Sequence, residues 1–170
     1  MTDYKLLCET IEGYCKNEPA AIPLLSNISS VIFDELEDLN WVGFYLLRNK
    51  EDKTYTEADF LIEDTDEKMY ELVVGPFQGK PACIRIPIGK GVCGSACKKM
   101  KTLRVENVHD FPGHIACDCA SNSEIVIPLI KDSKVYGVLD IDSPSINRFT
   151  HEDEIGLTKL VESINKSIKF

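Results

Sequence analysis

No stretch of this chain stays apolar for the ~20 residues that a membrane-crossing helix requires, so no membrane role is expected. It carries no stripe of basic residues. Its 19 Lys and Arg are outnumbered by 28 Asp and Glu, leaving a net charge of −9. Phosphate backbones are bound by clustered cations, so nucleic acid is not an expected partner. The first residues, Met1-Thr2-Asp3-Tyr4-Lys5, are polar and contain no secretory signal, which leads to an expected cytoplasmic location. Internal repeats and low-complexity tracts are absent, and only one tryptophan, Trp41, occurs.

What is present fits one domain over residues 1–170, with 44% hydrophobic residues to build a core. Seven cysteines in a chain without a visible signal point to reactive thiols, metal ligands or a catalytic disulfide rather than a structural disulfide framework.

Hydrophobic periodicity predicts helices over 3–15 and 19–37, the second with Ile22, Leu25, Ile28, Val31, Ile32 and Leu36 at helical spacing. A strand over 41–48 places Trp41, Gly43 and Tyr45 on one face and Val42, Phe44 and Leu46 on the other. Residues 49–69 hold eight acids and three lysines and read as a surface insertion, with a short strand at Phe60-Leu61-Ile62. Strands follow over 70–75 and 82–88, split by the turn Gly75–Pro81. Next come a helix over 92–100, a strand over 102–106, a loop over 107–122 and a hairpin of 124–130 with 135–142. A last helix over 150–168 has Thr150 as N-cap and acids in its first turn. The expected fold class is α+β. A central antiparallel sheet carries the N- and C-terminal helices on one face, and the site lies under loops on the other.

Cys83, Cys93 and Cys117 lie in segments rich in glycine, proline or polar residues rather than in aliphatic runs, and thiols of that kind react. Cys93 falls in the first turn of its helix, where the backbone N–H groups and helix dipole favour a thiolate. Cys117 lies in the long loop, beside Asp118, and is the more exposed candidate. From these residues either can be the attacking sulfur. Cys97 reads as a core residue, and Cys8 and Cys15 as bystanders in the first helix. A zinc reading uses His114, Cys117 and Cys119, with His109 nearby, but this set lacks the paired second half of ordinary zinc sites.

Asp140 and Asp142 are two apart on a strand and share a face, with Glu124 opening the partner strand. A two-residue loop at 132–133 would set Glu124 opposite Ile141, and a three-residue loop would set it opposite Asp142. A bulge near Pro128 could also shift the register. If the three acids converge, repulsion raises at least one pKa and leaves a proton donor near neutral pH. Trp41 and Tyr45, with Gly43 between them, could flank a hollow suited to an S-methyl group or a cation.

Taken in order, these segments resemble one family. They are Asn40–Tyr45, Leu72–Gly79, Gly89–Gly94, Pro112–Asp118, Ser123–Pro128 and Gly137–Ser143. Together they are similar to the free methionine-(R)-sulfoxide reductases, which are GAF-domain enzymes. The resemblance implies a single GAF domain that reduces free methionine sulfoxide rather than the protein-bound residue. It implies that Cys83, Cys93 and Cys117 are redox thiols. Glu124, Asp140 and Asp142 would engage the sulfoxide oxygen and substrate amine, and Trp41 and Tyr45 would surround the methyl group. Also implied are thioredoxin as external reductant, no bound cofactor and a homodimer. On that reading Cys117 becomes a sulfenic acid and then forms a disulfide with Cys83 or Cys93. The chain departs from the family in its long 49–69 insertion and in the extra thiol Cys119. A GAF module that only senses a small ligand is the competing reading.

Overall fold

The computed structural model describes residues 2–16, 18, 20–51, 67–115 and 117–168. Two helices open the chain, α1 (Tyr4–Cys15) and α2 (Ala21–Glu35). The side chain of Asp3 caps α1 by accepting the N–H groups of Lys5 and Leu6. α2 turns inward on Leu24, Leu25, Ile28 and Ile32, whereas Ile22, expected on that stripe, is exposed. It ends at Glu35 because Leu36 leaves the helical conformation, with its N–H still bonded to the Ile32 carbonyl.

The strands are β1 (Trp41–Asn49), β2 (Tyr70–Gly79), β3 (Arg85–Pro87), β4 (Leu103–Val105), β5 (Ser123–Lys131) and β6 (Lys134–Ser143). Helix α3 (Gly91–Lys99) lies between β3 and β4, and α4 (His151–Ser167) follows β6. The strands form one antiparallel sheet in the order β3-β2-β1-β6-β5-β4. β1 is thus central, held by β2 on one side and β6 on the other.

Strand alternation sorts the sheet into two faces. Val42, Phe44, Leu46, Ile125, Ile127, Leu139 and Ile141 pack against α1, α2 and α4. Trp41, Tyr45, Leu47, Leu72, Val126 and Val138 point the other way, toward α3. The expected α+β fold, with the N- and C-terminal helices on one face, is what the chain adopts, and α3 packs on the other. α4 begins with a reciprocal box in which Thr150 Oγ1 accepts from the Asp153 N–H and Asp153 accepts from the Thr150 N–H.

Two sequence expectations need correction. β2 does not stop at Gly75 but runs to Gly79, with its register against β1 shifting between Gly43 and Tyr45. The extra residue on β2 falls at the Gly75-Pro76 step, where proline has no N–H for a regular ladder, so the strand bulges there instead of turning. The expected strand over 82–88 shrinks to Arg85–Pro87, leaving Cys83 in irregular chain. Residues 52–66 and the strand expected at Phe60–Ile62 lie outside the described residues. The ends of that insertion meet, with Asn49 paired to Tyr70.

Candidate active site

Hairpin register decides whether the acids meet. Asp132 and Ser133 both have positive φ, and Lys131 pairs with Lys134 across this two-residue turn. Continued regularly, that register would leave Glu124 opposite Ile141. A bulge between Leu129 and Ile130 shifts it by one, so Glu124 pairs with Asp142 and Val126 with Asp140. β1 closes the other side, pairing Gly43 with Asp140 and Trp41 with Asp142. The bulge, rather than a longer loop, gathers the three acids on the face opposite the helices.

Glu124 is 5% exposed and Asp140 6%. Glu124 Oε1 and Asp140 Oδ1 are buried without a hydrogen-bond partner. Burial and then mutual repulsion raise Glu124 and Asp142 well above the carboxylate range. Burial raises Asp140 to about 7, offset by a hydrogen bond from the Cys93 thiol and one from the Ile141 N–H. A buried acid in this state keeps its proton near neutral pH, and its orphaned oxygens call for a ligand with donors.

α3 brings Cys93 over this floor, 4% exposed. Its pKa is raised, first by burial and then by Asp140 and Glu124. This overturns the thiolate expected from its place in the first helical turn. Desolvation plus adjacent acids outweigh a dipole effect whose typical worth is ~0.3–1 kcal/mol. Cys93 is therefore a neutral thiol that donates to Asp140. His114, from the loop before β5, stands with Nε2 3.6 Å from Glu124 Oε1. Burial and then His109 lower the pKa of His114.

Cys83 and Cys117 are joined in a disulfide with Cα atoms 5.2 Å apart. Cys119 is exposed. The zinc trio weighed from the sequence is not among the converging groups of the described residues, and Cys117 is bonded to Cys83. Among the described residues, the group of metal-capable side chains that does converge is Cys93, Glu124 and Asp140. Asp118 is held ionised chiefly by the Ala120 N–H, together with Asn40 and Lys80. Asn40 also donates to Ser121 Oγ at 2.9 Å. It thereby ties the start of β1 to both ends of the short turn after Cys117.

Trp41 and Tyr45 do share a face, but the space between them is filled. Their rings stack at 5.7 Å, and Phe77 stacks on the other side of Trp41 at 5.3 Å. The Trp41 ring leans over Gly43, where an added Cβ would collide with it and with Phe77. Trp41 Nε1 donates to the Lys80 carbonyl, and the Tyr45 hydroxyl to the Cys83 carbonyl. Both rings therefore brace the segment that carries Cys83.

The acids, Cys93, His114 and the Cys117 loop enclose a cavity of about 30 Å³, a space for one or two water-sized groups. His114, Asp118, Ser121 and Asn40 were not assigned to the site from sequence. Asp118 was read only as a neighbour of Cys117 and His114 only as a zinc ligand. Nothing in the local pattern around Asn40 signals that its side chain reaches the loop about 80 residues later.

A sheet with α1, α2 and α4 on one face, and on the other α3 and a small acidic cup beside a cysteine pair, defines an α+β domain with its candidate site on the second face. The GAF domain model matches residues 23–168. The free methionine-R-sulfoxide reductase of Escherichia coli is 49% identical over 149 residues, covering 88% of this chain and 78% of that one. Its namesake from Saccharomyces cerevisiae is 43% identical, covering 94% and 82%. The fRMsr of Staphylococcus aureus, solved in complex with its substrate, superposes with a TM-score of 0.81 at 44% identity, covering 98% of this chain and 96% of that one. The chain belongs to the GAF-domain family and, within it, to the free methionine-R-sulfoxide reductases.

Proposed function

We propose that this enzyme reduces free L-methionine-(R)-sulfoxide to L-methionine with its own cysteines. The observation that carries this reading is the convergence of three buried, proton-retaining acids beneath the loop that bears Cys117. A sulfoxide sulfur becomes electrophilic as its oxygen is protonated, and the cluster supplies that proton. The Cys117 thiolate attacks the sulfur to form an S–S bond; the hydroxyl then passes to the Cys117 sulfur as the S–O and S–S bonds break, so that methionine leaves and Cys117 becomes a sulfenic acid. A second thiol condenses with it, forming a disulfide and releasing water. The Cys83–Cys117 pairing supports Cys83 as that second thiol. The neutral, hydrogen-bonded state of Cys93 weighs against Cys93 as the attacking sulfur, and its contact with Asp140 ties it to the acid cluster. An external dithiol, thioredoxin in this reading, then restores both thiols by exchange.

In this reading Trp41 and Tyr45 meet the S-methyl group only once the Cys83 segment they brace has moved, and one acid pairs with the substrate ammonium. A closed cup would exclude a peptide-bonded methionine, because its buried charged partners would be left unpaired. The 30 Å³ cavity is far smaller than ordinary ligand clefts of about 300 Å³ or more, which supports a cycle in which the cup admits substrate only once Cys117 is released from Cys83. No bound cofactor is needed for these steps. The reading places the enzyme in a reducing, cytoplasmic setting, as a homodimer whose mass sedimentation velocity would report. The test is turnover of the separated sulfoxide epimers with a thioredoxin couple. Consumption of the free R epimer alone, lost in Cys117→Ser, is expected. Equal turnover of a methionine-sulfoxide peptide, or activity surviving in Cys117→Ser, would refute it. No turnover of either epimer with any dithiol would favour a ligand-sensing module.

A further inference from the structure

Cys93, Glu124 and Asp140 present one thiol and two carboxylates from three separate elements, α3, β5 and β6, all buried. One ligand atom from each lies within 4.8 Å of the other two. In a four-coordinate zinc site, with bonds of about 2.0–2.3 Å, neighbouring ligand atoms stand roughly 3.3–3.8 Å apart. Each edge of the triangle therefore needs to shorten by at most about 1.5 Å. His114 Nε2 stands 3.6 Å from Glu124 Oε1 but outside this triangle, so the fourth position falls to water. The cavity of about 30 Å³ lies among these side chains and matches an ion with a water rather than an organic ligand. Glu124 Oε1 and Asp140 Oδ1, both on residues lining this cavity, are buried with no hydrogen-bond partner.

We propose that this cup is a binding site for a thiophilic divalent cation, Zn²⁺ foremost, held by Cys93, Glu124 and Asp140 with water as its fourth ligand. The donor set decides the class of ion. A thiolate beside two carboxylates suits zinc or cobalt, while magnesium and calcium take oxygen ligands only. On binding, the Cys93 S–H proton and the carboxyl protons are released to solvent, and the ion's charge replaces them. The site differs from the His114, Cys117 and Cys119 trio read from sequence, because Cys93 keeps a free thiol while Cys117 is bonded to Cys83. Binding in itself does not depend on the reductase reading. Its consequence does, since an ion on these acids occupies the groups assigned to proton delivery and blocks turnover.

The experiment uses Co²⁺ as probe on protein with the Cys83–Cys117 disulfide intact and with Cys119→Ser, which removes the exposed thiol. One Co²⁺ per chain is expected, with a near-ultraviolet thiolate-to-cobalt band and visible bands of a tetrahedral ion, all displaced by one equivalent of Zn²⁺. Cys93→Ser should abolish the near-ultraviolet band. Glu124→Gln and Asp140→Asn should each weaken Co²⁺ binding about tenfold or more, so the assignment does not hang on one variant's folding. Absence of a saturable one-to-one complex would overturn the proposal. A charge-transfer band that persists in Cys93→Ser would do so too, as would affinity unmoved by both acid variants. Because the disulfide form is used and no turnover is read, these outcomes stand apart from any failure of the reductase reading.

Discussion

Glu124, Asp140 and Asp142 occupy a space with few donors, so the proton each retains is fixed by its neighbours rather than by solvent. Glu124 and Asp142 face each other across the β5–β6 ladder. Two like charges in such a cross-strand pair are destabilising, and burial multiplies the effect. Glu124→Gln removes an ionisable group while keeping its shape. We expect it to lower kcat/KM for the free R-sulfoxide by about 100-fold or more, the usual worth of a general acid. Steady-state kinetics with excess dithiol would measure this, and the same variant should keep its far-ultraviolet circular dichroism. Turnover within a factor of about three of the parent would remove Glu124 from proton delivery. Asn40 is a positioning residue rather than a chemical one, since its side chain bonds Asp118 and Ser121 and its backbone N–H the Asp142 main-chain carbonyl.

The elements carry their own tests, and they also show where the sequence was readable. Gly43 in β1 lies under the Trp41 ring and beside Phe77. Gly43→Ala should therefore destabilise the fold by about 1–3 kcal/mol, as overpacking does, and shift tryptophan fluorescence, both read in one urea titration. At α4, Thr150→Ala loses the box with Asp153 and should cost about 1 kcal/mol in the same assay. A Thr150→Ser control should recover most of that loss. Helix α4 and its cap were legible because Thr150 and the acids after it are local signals. Strand β1 was legible because its two faces alternate without exception. The β2 continuation past Gly75 was not, because Gly and Pro mark a turn and a bulge with the same residues. The convergence of the acids was legible only as alternatives. Spacing put Asp140 and Asp142 on one face, but the meeting with Glu124 depends on a bulge between Leu129 and Ile130, which no residue there demands. The state of Cys93 was misread for a related reason. Its helix position is visible in the sequence, and the acids brought beneath it by strand pairing are not.

For the molecule as a whole, the acids of the cup and the hydrogen-bonded acids Asp118 and Asp153 pull stability in opposite directions with pH. Asp118 and Asp153 have folded pKa values below their ordinary ones. For Asp118 the chief cause is the Ala120 N–H; for Asp153 burial alone would raise the value, but the Tyr4 and Thr150 hydrogen bonds and Arg148 outweigh it. Their contribution is present above the unfolded carboxylate pKa and is lost as acid protonates them in the folded state. Glu124, Asp140 and Asp142 have raised values, that of Asp140 about 7. Between about pH 4 and those raised values the unfolded chain has released protons that the folded chain still holds, so stability falls as pH rises through this window. The two limbs place the stability maximum on the acid side of neutrality, despite the net charge of −9. Glu124→Gln removes one group from the alkaline limb and leaves the acid limb alone. Thermal melts from pH 4.5 to 8.5, in chelator to keep the cup metal-free, should show the variant overtaking the parent at the alkaline end. The gain should be roughly 2–4 °C in Tm for each kcal/mol of penalty removed, with little difference near pH 5. A parent whose Tm rises steadily from pH 5 to 8 would mean that the three acids are ionised in the folded enzyme, and it would remove the proton source on which the sulfoxide chemistry rests.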